Sequence, residues 1–454
     1  MSGVIAWPLA LAEARRLLER PADTAGAATA ALAGAPCFQN KDFPLSPLPV
    51  LVRAEAAERL APVLTGYAAL LGEVVRHFRE DARVRAWYGL DPAAERLIAA
   101  DPGPSDAPWV CRLDGYLDHE TERLTVLENN ADAPAGTLFT ARINEVVAGL
   151  SAHGAAGLSP HTFLGADRFL HALLAGARAA AERVPGKSAR PSALAVLQPA
   201  GKANRESVEM VEQFRAAGTD AFLADPRDLR VHGGRAHFGG RAADLCWNKV
   251  NTVSWNAMAR DGELVDRWER ALRDSSLVHL NPFGARYVAE SKLSLAFVQE
   301  PEFAGLFTAE QRRLAAELLP WTRRVRPGAV ADDGSTGLRE DLLERQSEYV
   351  LKEAYDIRGD GVTIGHDVPR SVWRAAVERA GREGHIAQRR VRPLQYPVVT
   401  AGEDRAGIQA ISLDTYLFGG QVAGFGSKAS RNAKINIFQG GQKLAVHVIP
   451  GEAP

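Results

Sequence analysis

The sequence predicts a mixed α/β protein, with strands and helices segregated into several units, and three observations carry that expectation. Hydrophobic residues recur at helical spacing through residues 54–100, a strand–helix–strand rhythm begins near residue 192, and glycine-punctuated strands fill the last third of the chain. The 454 residues also exceed what one core supports, since domains run to roughly 100–200 residues.

Residues 1–105 are expected to be mostly helical, because AEAAERLAPVLTGYAALLGEVVRHF places Leu, Val and Tyr on one face. Residues 106–189 open with a hairpin, RLDGYLDHETERLTVLENN (112–130), in which apolar and polar positions alternate on either side of a polar turn. Helices follow at TLFTARINEVVAGL and over residues 166–184. From 190 to 275 the order SALAVLQPAG, ESVEMVEQFRAAG, DAFLADPRDL reads strand, helix, strand, the mark of a small doubly wound unit. No G-x-G-x-x-G follows its first strand, so the dinucleotide fingerprint is missing. Residues 276–330 look helical again. Residues 331–454 read as a mixed lobe: SEYVLKEA and VTIG as strands about the loop DIRGDG, PRSVWRAAVERAG as a helix, HIAQRRV as a strand, LDTYLF and QVAGFG as a hairpin, and KINIF as the last strand.

Composition excludes several classes. A net charge of −1 supplies no broad basic field for nucleic acid. Cys37, Cys111 and Cys246 are odd in number, widely spaced and without a C-x-x-C pair, which argues against a disulfide framework or zinc ribbon and for a reducing, cytoplasmic compartment. The N-terminus has no basic stretch before its short apolar run, so it is not read as a signal peptide. The uncharged stretch TAGAATAALAGAPCFQN is small and broken by Pro36, so no membrane span is expected.

The hairpin carries the first chemical signal. A turn centred on Thr121 sets Asp114 opposite Glu128 and Arg112 opposite Asn130, and facing like charges repel, which is no structural gain. Asp114, Glu128 and Asn130 offer hard oxygen ligands suited to magnesium, and Arg112 could stabilise charge on a transferring phosphoryl group. The alternative is an exposed hairpin in which Arg112 pairs with Asp114 and the acids are solvated. Lys352 lies on a strand entering a loop with Gly359 and Gly361, a layout that can cover phosphates or simply make a hairpin turn. Lys292 is a second candidate phosphate partner or a solvated helical lysine. Gln388 precedes a hinge where it could read an adenine edge. Asn248 and Lys249 follow a strand of the doubly wound unit and could receive a substrate carboxylate, or could belong to a loop packed around Trp247 and Trp255. Asp132, in the loop running to Gly136, is a further substrate candidate. Cys111 alternates to the opposite face from Arg112 and is expected in the core.

In order and spacing these pieces resemble the circularly permuted ATP-grasp ligases, the group that includes glutathionylspermidine synthase. The likeness starts near residue 50. Its sharpest motif is Arg112-x-Asp114 followed by Glu128-x-Asn130-x-Asp132, joined by the NPF-to-Lys292 helix, the Val-Leu-Lys352 strand and the Gln388 hinge. The resemblance implies an ATP-grasp fold, circularly permuted, with a Rossmann-like pre-ATP-grasp domain in 190–275 and a nucleotide-binding lobe in 331–454. It implies ATP and Mg2+ as cofactors, with Asp114, Glu128 and Asn130 on the metal, Lys292 and Lys352 on phosphates, and Arg112 catalytic. The expected reaction joins a small-molecule or peptide carboxylate to an amine through an acyl phosphate. A non-catalytic nucleotide- or peptide-binding protein and a small-molecule kinase are the alternatives. The chain departs from the family where an arginine–serine pair is common: GFGSKASRNAKIN offers Lys428 or Arg431 instead. No cysteine nucleophile for an amidase is found, and oligomeric state is open.

Overall fold

A computed structural model of the chain describes residues 3–19, 26, 30, 44–151, 158–159, 162, 164–201, 204–334, 337–356, 359–400 and 406–450. Cys37 and most of the uncharged stretch 24–40 lie outside the described residues. The helical segment expected over 54–100 is three helices, Ala54–Glu80, Ala82–Tyr88 and Pro92–Ala100. Their boundaries are written in the sequence. Asp81 caps the second by accepting from Arg83 N at 2.8 Å, Gly89 ends it in the left-handed conformation, and Asp91 caps the third from Ala93 N at 2.8 Å. Leu64, Tyr67, Leu71, Val74, Val75 and Phe78 form the buried stripe of the long helix.

Before that helix the chain forms a strand, Leu45–Arg53, which the helical expectation for 1–105 missed. Pro47 and Pro49 sit where the register shifts between Ser46 and Val50, on the outermost strand of its sheet, where a missing ladder donor is tolerated. The eight-stranded sheet runs Leu45–Arg53, Gln442–Ile449, Gln421–Ser430, Asp414–Phe418, Val110–Leu117, Leu124–Asn130, with Gln395–Val398 and Gly407–Ile411 attached through Gln421–Ser430. The first pair is parallel and the others are antiparallel. KINIF is not the final strand. Asn436 Oδ1 accepts from Phe438 N at 2.8 Å to start a short 3-10 turn, Gly440 takes φ 88°, and the strand begins only at Gln442.

A second sheet of four parallel strands, Val278–Leu280, Leu245–Asn248, Leu194–Leu197 and Ala221–Ala224, carries the expected strand–helix–strand order. Its last strand in sequence lies past residue 275. A small antiparallel sheet, Thr322–Arg324, Ile386–Arg389, Tyr349–Lys352 and Val362–Ile364, packs the helix Arg370–Glu383 through Trp373, Val377, Tyr349 and Leu351. Among the described residues no helix is long and apolar enough to cross a membrane. Cys111 and Cys246 are free and buried, and burial pushes both thiols far above their ordinary range.

Candidate functional site

The eight-stranded sheet and the small sheet face each other across a cavity of about 810 Å³. The hairpin supplies one wall. Asp114 is the register partner of Glu128, and Arg112 of Asn130. A register shift follows at Asp114/Gly115, and a Cβ on Gly115 would lie 2.9 Å from Thr125 O, so the close approach there needs glycine.

The four side chains are not solvated independently. Arg112 grips Asp114 with both arms of its fork, Nε to Oδ1 at 2.5 Å and Nη2 to Oδ2 at 3.0 Å. It also donates to Asn130 Oδ1 at 3.1 Å and to Ala135 O at 3.0 Å. Lys428, from the strand Gln421–Ser430, reaches Asp114 Oδ2 at 2.8 Å and Asp414 Oδ2 at 2.9 Å. Burial would raise the Asp114 carboxyl, but Arg112 and Lys428 outweigh it and hold it far below the usual carboxylate range. Asp414 goes the other way, raised by burial and by the Asp114 charge. The opening alternative, a solvated hairpin with a surface Arg112–Asp114 pair, therefore describes the pair but not its setting.

The small sheet supplies the other wall, and Lys292 is joined to the site through Glu128 rather than lining the cavity. Lys292 is 2% exposed; its ammonium lies 2.8 Å from Glu128 Oε1 and also pairs with Asp356. Burial alone would lower Lys292, and the Glu128 and Asp356 carboxylates instead raise it well above its ordinary value. It is no solvated helical lysine. Lys352 donates to Leu127 O at 2.9 Å, and burial pulls it down to about 8. Gly359 has φ 73° and lines the cavity, while Gly361 sits behind the loop, its N–H donating to Asp356 Oδ2 at 3.2 Å. A Cβ on Gly361 would come within 2.9 Å of Asp356 Cβ. Gln388 lines the cavity and is buried, its Nε2 donating to Thr322 Oγ1 at 3.1 Å.

The substrate candidates divide. Asp132 borders the cavity, but its Oδ2 is taken by Thr252 N at 2.7 Å and Thr252 Oγ1 at 3.1 Å. Lys249 borders it too, donating to Pro134 O at 2.9 Å and pairing with Glu206 at 3.2 Å. Glu206 in turn accepts from Gly136 N and Leu138 N, so this pair fastens the loop after the hairpin to the parallel-sheet unit. Lys249→Met should lower stability by about 1–3 kcal/mol, the cost of a lost bond to a buried charge, read from the midpoint of urea unfolding. Asn248 does not reach the cavity wall. It is fully buried, with Nδ2 3.2 Å from His279 Nε2 and Oδ1 accepting from Val250 N at 3.1 Å.

Several residues at the site carried no signal of their own. Arg286, buried in the NPF segment, donates to the carbonyls of Asp132, Asn248 and Val250, tying the hairpin's exit to the parallel sheet. Asp356, Asp414 and Lys443 enter only through folding. Lys443 was hidden because its strand was placed too early; a lone lysine in QKLAVHV is the mark that would have found it. Burial, then the nearby Lys428 charge, pulls Lys443 down to about 7.

The donor set fits a hard cation with phosphate oxygens. Two carboxylates on adjacent strands and one amide oxygen suit magnesium, which keeps waters and takes few protein ligands. Among the described residues no group of three or more His, Cys, Asp or Glu side chains is gathered as a cation cage.

No family model matches the chain, and no curated protein matches it. Among solved structures, a glutathione synthetase-like effector from Globodera pallida in its apo form matches with a TM-score of 0.60 at 13% identity, covering 99% of this chain and 99% of that one. A chain provisionally described as a gamma-glutamylcysteine synthetase, from Methylobacillus flagellatus, matches at 14% identity over 84% of this chain and 88% of its own. Its TM-score of 0.39 supports no argument. At such low identity the first likeness concerns architecture alone: the chain has the mixed α/β fold of a glutathione synthetase-like protein.

Proposed function

We propose that the protein is an ATP-dependent carboxylate–amine ligase of the circularly permuted ATP-grasp kind, acting on an amino acid or short peptide. One observation carries the reading: Arg112, Asp114, Glu128 and Asn130 from the hairpin, and Lys352 from the facing sheet, border one cavity, with Lys292 joined to Glu128. ATP is the substrate that supplies the phosphoryl group. A carboxylate oxygen attacks its γ-phosphorus and ADP leaves; the amine nitrogen then attacks the acyl carbon, phosphate leaves and the amine gives up a proton.

Asp114, Glu128 and Asn130 would hold magnesium, whose chemistry is to neutralise and orient phosphate oxygens. Lys292 and Lys352 hold phosphate charge, and the Gly359 loop covers it with backbone N–H groups. Arg112 stabilises the oxygens that gain charge as the phosphoryl group moves. Phosphoryl transfer needs such positioned cations more than covalent help.

The Lys352 ammonium gives this reading a pH signature. Its folded value, about 8, lies below the ordinary 10.5, so between those values the unfolded chain binds the extra proton and this group's contribution to stability rises with pH. Phosphate binding needs the charged form, so nucleotide affinity falls as pH rises through about 8. ATP titrations should show about tenfold weaker binding at pH 9 than at pH 7, and Lys352→Met should remove that dependence.

The direct test is ADP release against panels of acids and amines. Release that requires both partners, with hydroxylamine trapping the acyl phosphate, supports ligation. A phosphorylated product that persists when amines are supplied indicates a kinase, and ATP binding without turnover in any mixture indicates a binding protein.

A further inference from the structure

Two charged side chains on the cavity wall have open valences. Lys443, on the strand Gln442–Ile449, is 5% exposed and makes no side-chain hydrogen bond or ion pair among the described residues; its ammonium lies 5.2 Å from the Phe139 ring centroid. Asp414 is 1% exposed, with Oδ2 on Lys428 and Oδ1 without a partner among the described residues. Both line the cavity, and no ion pair joins them. Lys443 is also the register partner of Lys428, which sets two like charges opposite each other on buried strands. A buried ammonium with no hydrogen bond among the described residues, and a buried carboxylate oxygen with none either, both cost stability, so the fold alone gives no reason to keep both on one cavity wall.

An ammonium with no carboxylate on it and a carboxylate oxygen with no donor, both on one cavity wall, are complementary to a zwitterion. We propose that Lys443 and Asp414 form a subsite for an α-amino-acid head group, Lys443 receiving its carboxylate and Asp414 Oδ1 its ammonium. This deepens the ligase reading and rests on it for the source of the head group, either the acid that is activated or the amine that accepts it. Lys443 stands apart from the phosphate lysines. Those lie against the outer strand Leu124–Asn130, four places along the sheet from Gln442–Ile449 and two from Asp414–Phe418. At about 4.8 Å per strand the backbones are roughly 19 Å and roughly 10 Å apart, so Asp414 is the side of the subsite nearer the phosphate end.

The test uses the full chain and calorimetric titration with two probe series, each with and without ATP and magnesium. L-Glutamate, its α-amide and glutarate stand for the acid; glycine, glycinamide and acetate stand for the amine. In one series the wild type should prefer the zwitterion over both analogues by about tenfold or more, the size of one charge-assisted hydrogen bond. Lys443→Met should erase the preference over the amide while Lys443→Arg keeps it, and Asp414→Asn should erase the preference over the acid. Lys443→Met removes a buried charge that has no hydrogen bond or ion pair among the described residues and should melt no lower than wild type. Equal binding of a zwitterion and its amide in both series, or an unchanged preference in Lys443→Met, overturns the subsite. A protein that responds to ATP but to no probe overturns the subsite and leaves the ligase reading standing. One that shows the head-group preference but no response to ATP overturns the ligase reading and leaves the subsite standing.

Discussion

Arg112→Gln is expected to lower kcat by about 100- to 1,000-fold while leaving the dissociation constant of magnesium ATP within a few-fold of wild type. The guanidinium holds Asp114 bidentately, spans to Asn130 and to Ala135 O, and borders the cavity, so its fork is fixed before any substrate arrives. A donor fixed in advance costs nothing to reorganise when charge moves toward it, which is why the loss falls on turnover rather than on binding. Lys428 keeps one hydrogen bond to Asp114 in the variant, so the carboxylate is not orphaned. Arg112→Lys restores the charge but not the planar fork, and should recover only part of the rate. ADP release at saturating substrates, beside ATP titration, separates the two quantities.

Lys292→Met is expected to produce the largest loss of stability, about 3–5 kcal/mol, because it breaks a buried ion pair on one side only. The Lys292 side chain is 2% exposed and that of Asp356 5%, so among the described residues Asp356 would be left with only the Gly361 N–H as hydrogen-bond partner. Glu128 is less exposed to this penalty, since 30% of its side chain remains accessible to water. In the proposed function the same substitution also removes one of the two cations assigned to phosphate. Added magnesium ATP should therefore rescue Lys292→Met less than it stabilises wild type, a difference readable in thermal unfolding with and without nucleotide.

The part of the site carried by local pattern was legible before folding. Alternation along RLDGYLDHETERLTVLENN fixes which face each side chain takes, and a turn of known length then pairs Asp114 with Glu128 and Arg112 with Asn130, as observed. The caps at Asp81 and Asp91 and the glycine stop at Gly89 were equally local, although the spacing of apolar residues alone ran the three helices together. What sequence could not give was partnership over distance. Lys428 comes from 314 residues beyond Asp114, and Lys292 meets Asp356 across 64 residues. Nothing in either neighbourhood names the other. Asn248 shows the converse: strand-end position suggested a ligand contact, yet its amide is spent on His279 and Val250. The strand Leu45–Arg53 was obscured by Pro47 and Pro49, tolerated because it lies at a sheet edge with a register shift. NIFQGG concealed the last strand, because an apolar pair beside lysine and asparagine reads as a strand until Asn436 and Gly440 are seen to turn it.

In the proposed function, facing carboxylates on the hairpin hold magnesium against a nucleotide. Thermal unfolding of wild type and Glu128→Gln with ATP, with and without magnesium, tests it most directly. At about 100 times its dissociation constant a ligand adds roughly 2.7 kcal/mol of stability, enough to move the transition visibly. A magnesium-dependent rise is expected in wild type, much reduced in Glu128→Gln. The same rise in both proteins, or no response to the nucleotide in either, would contradict it.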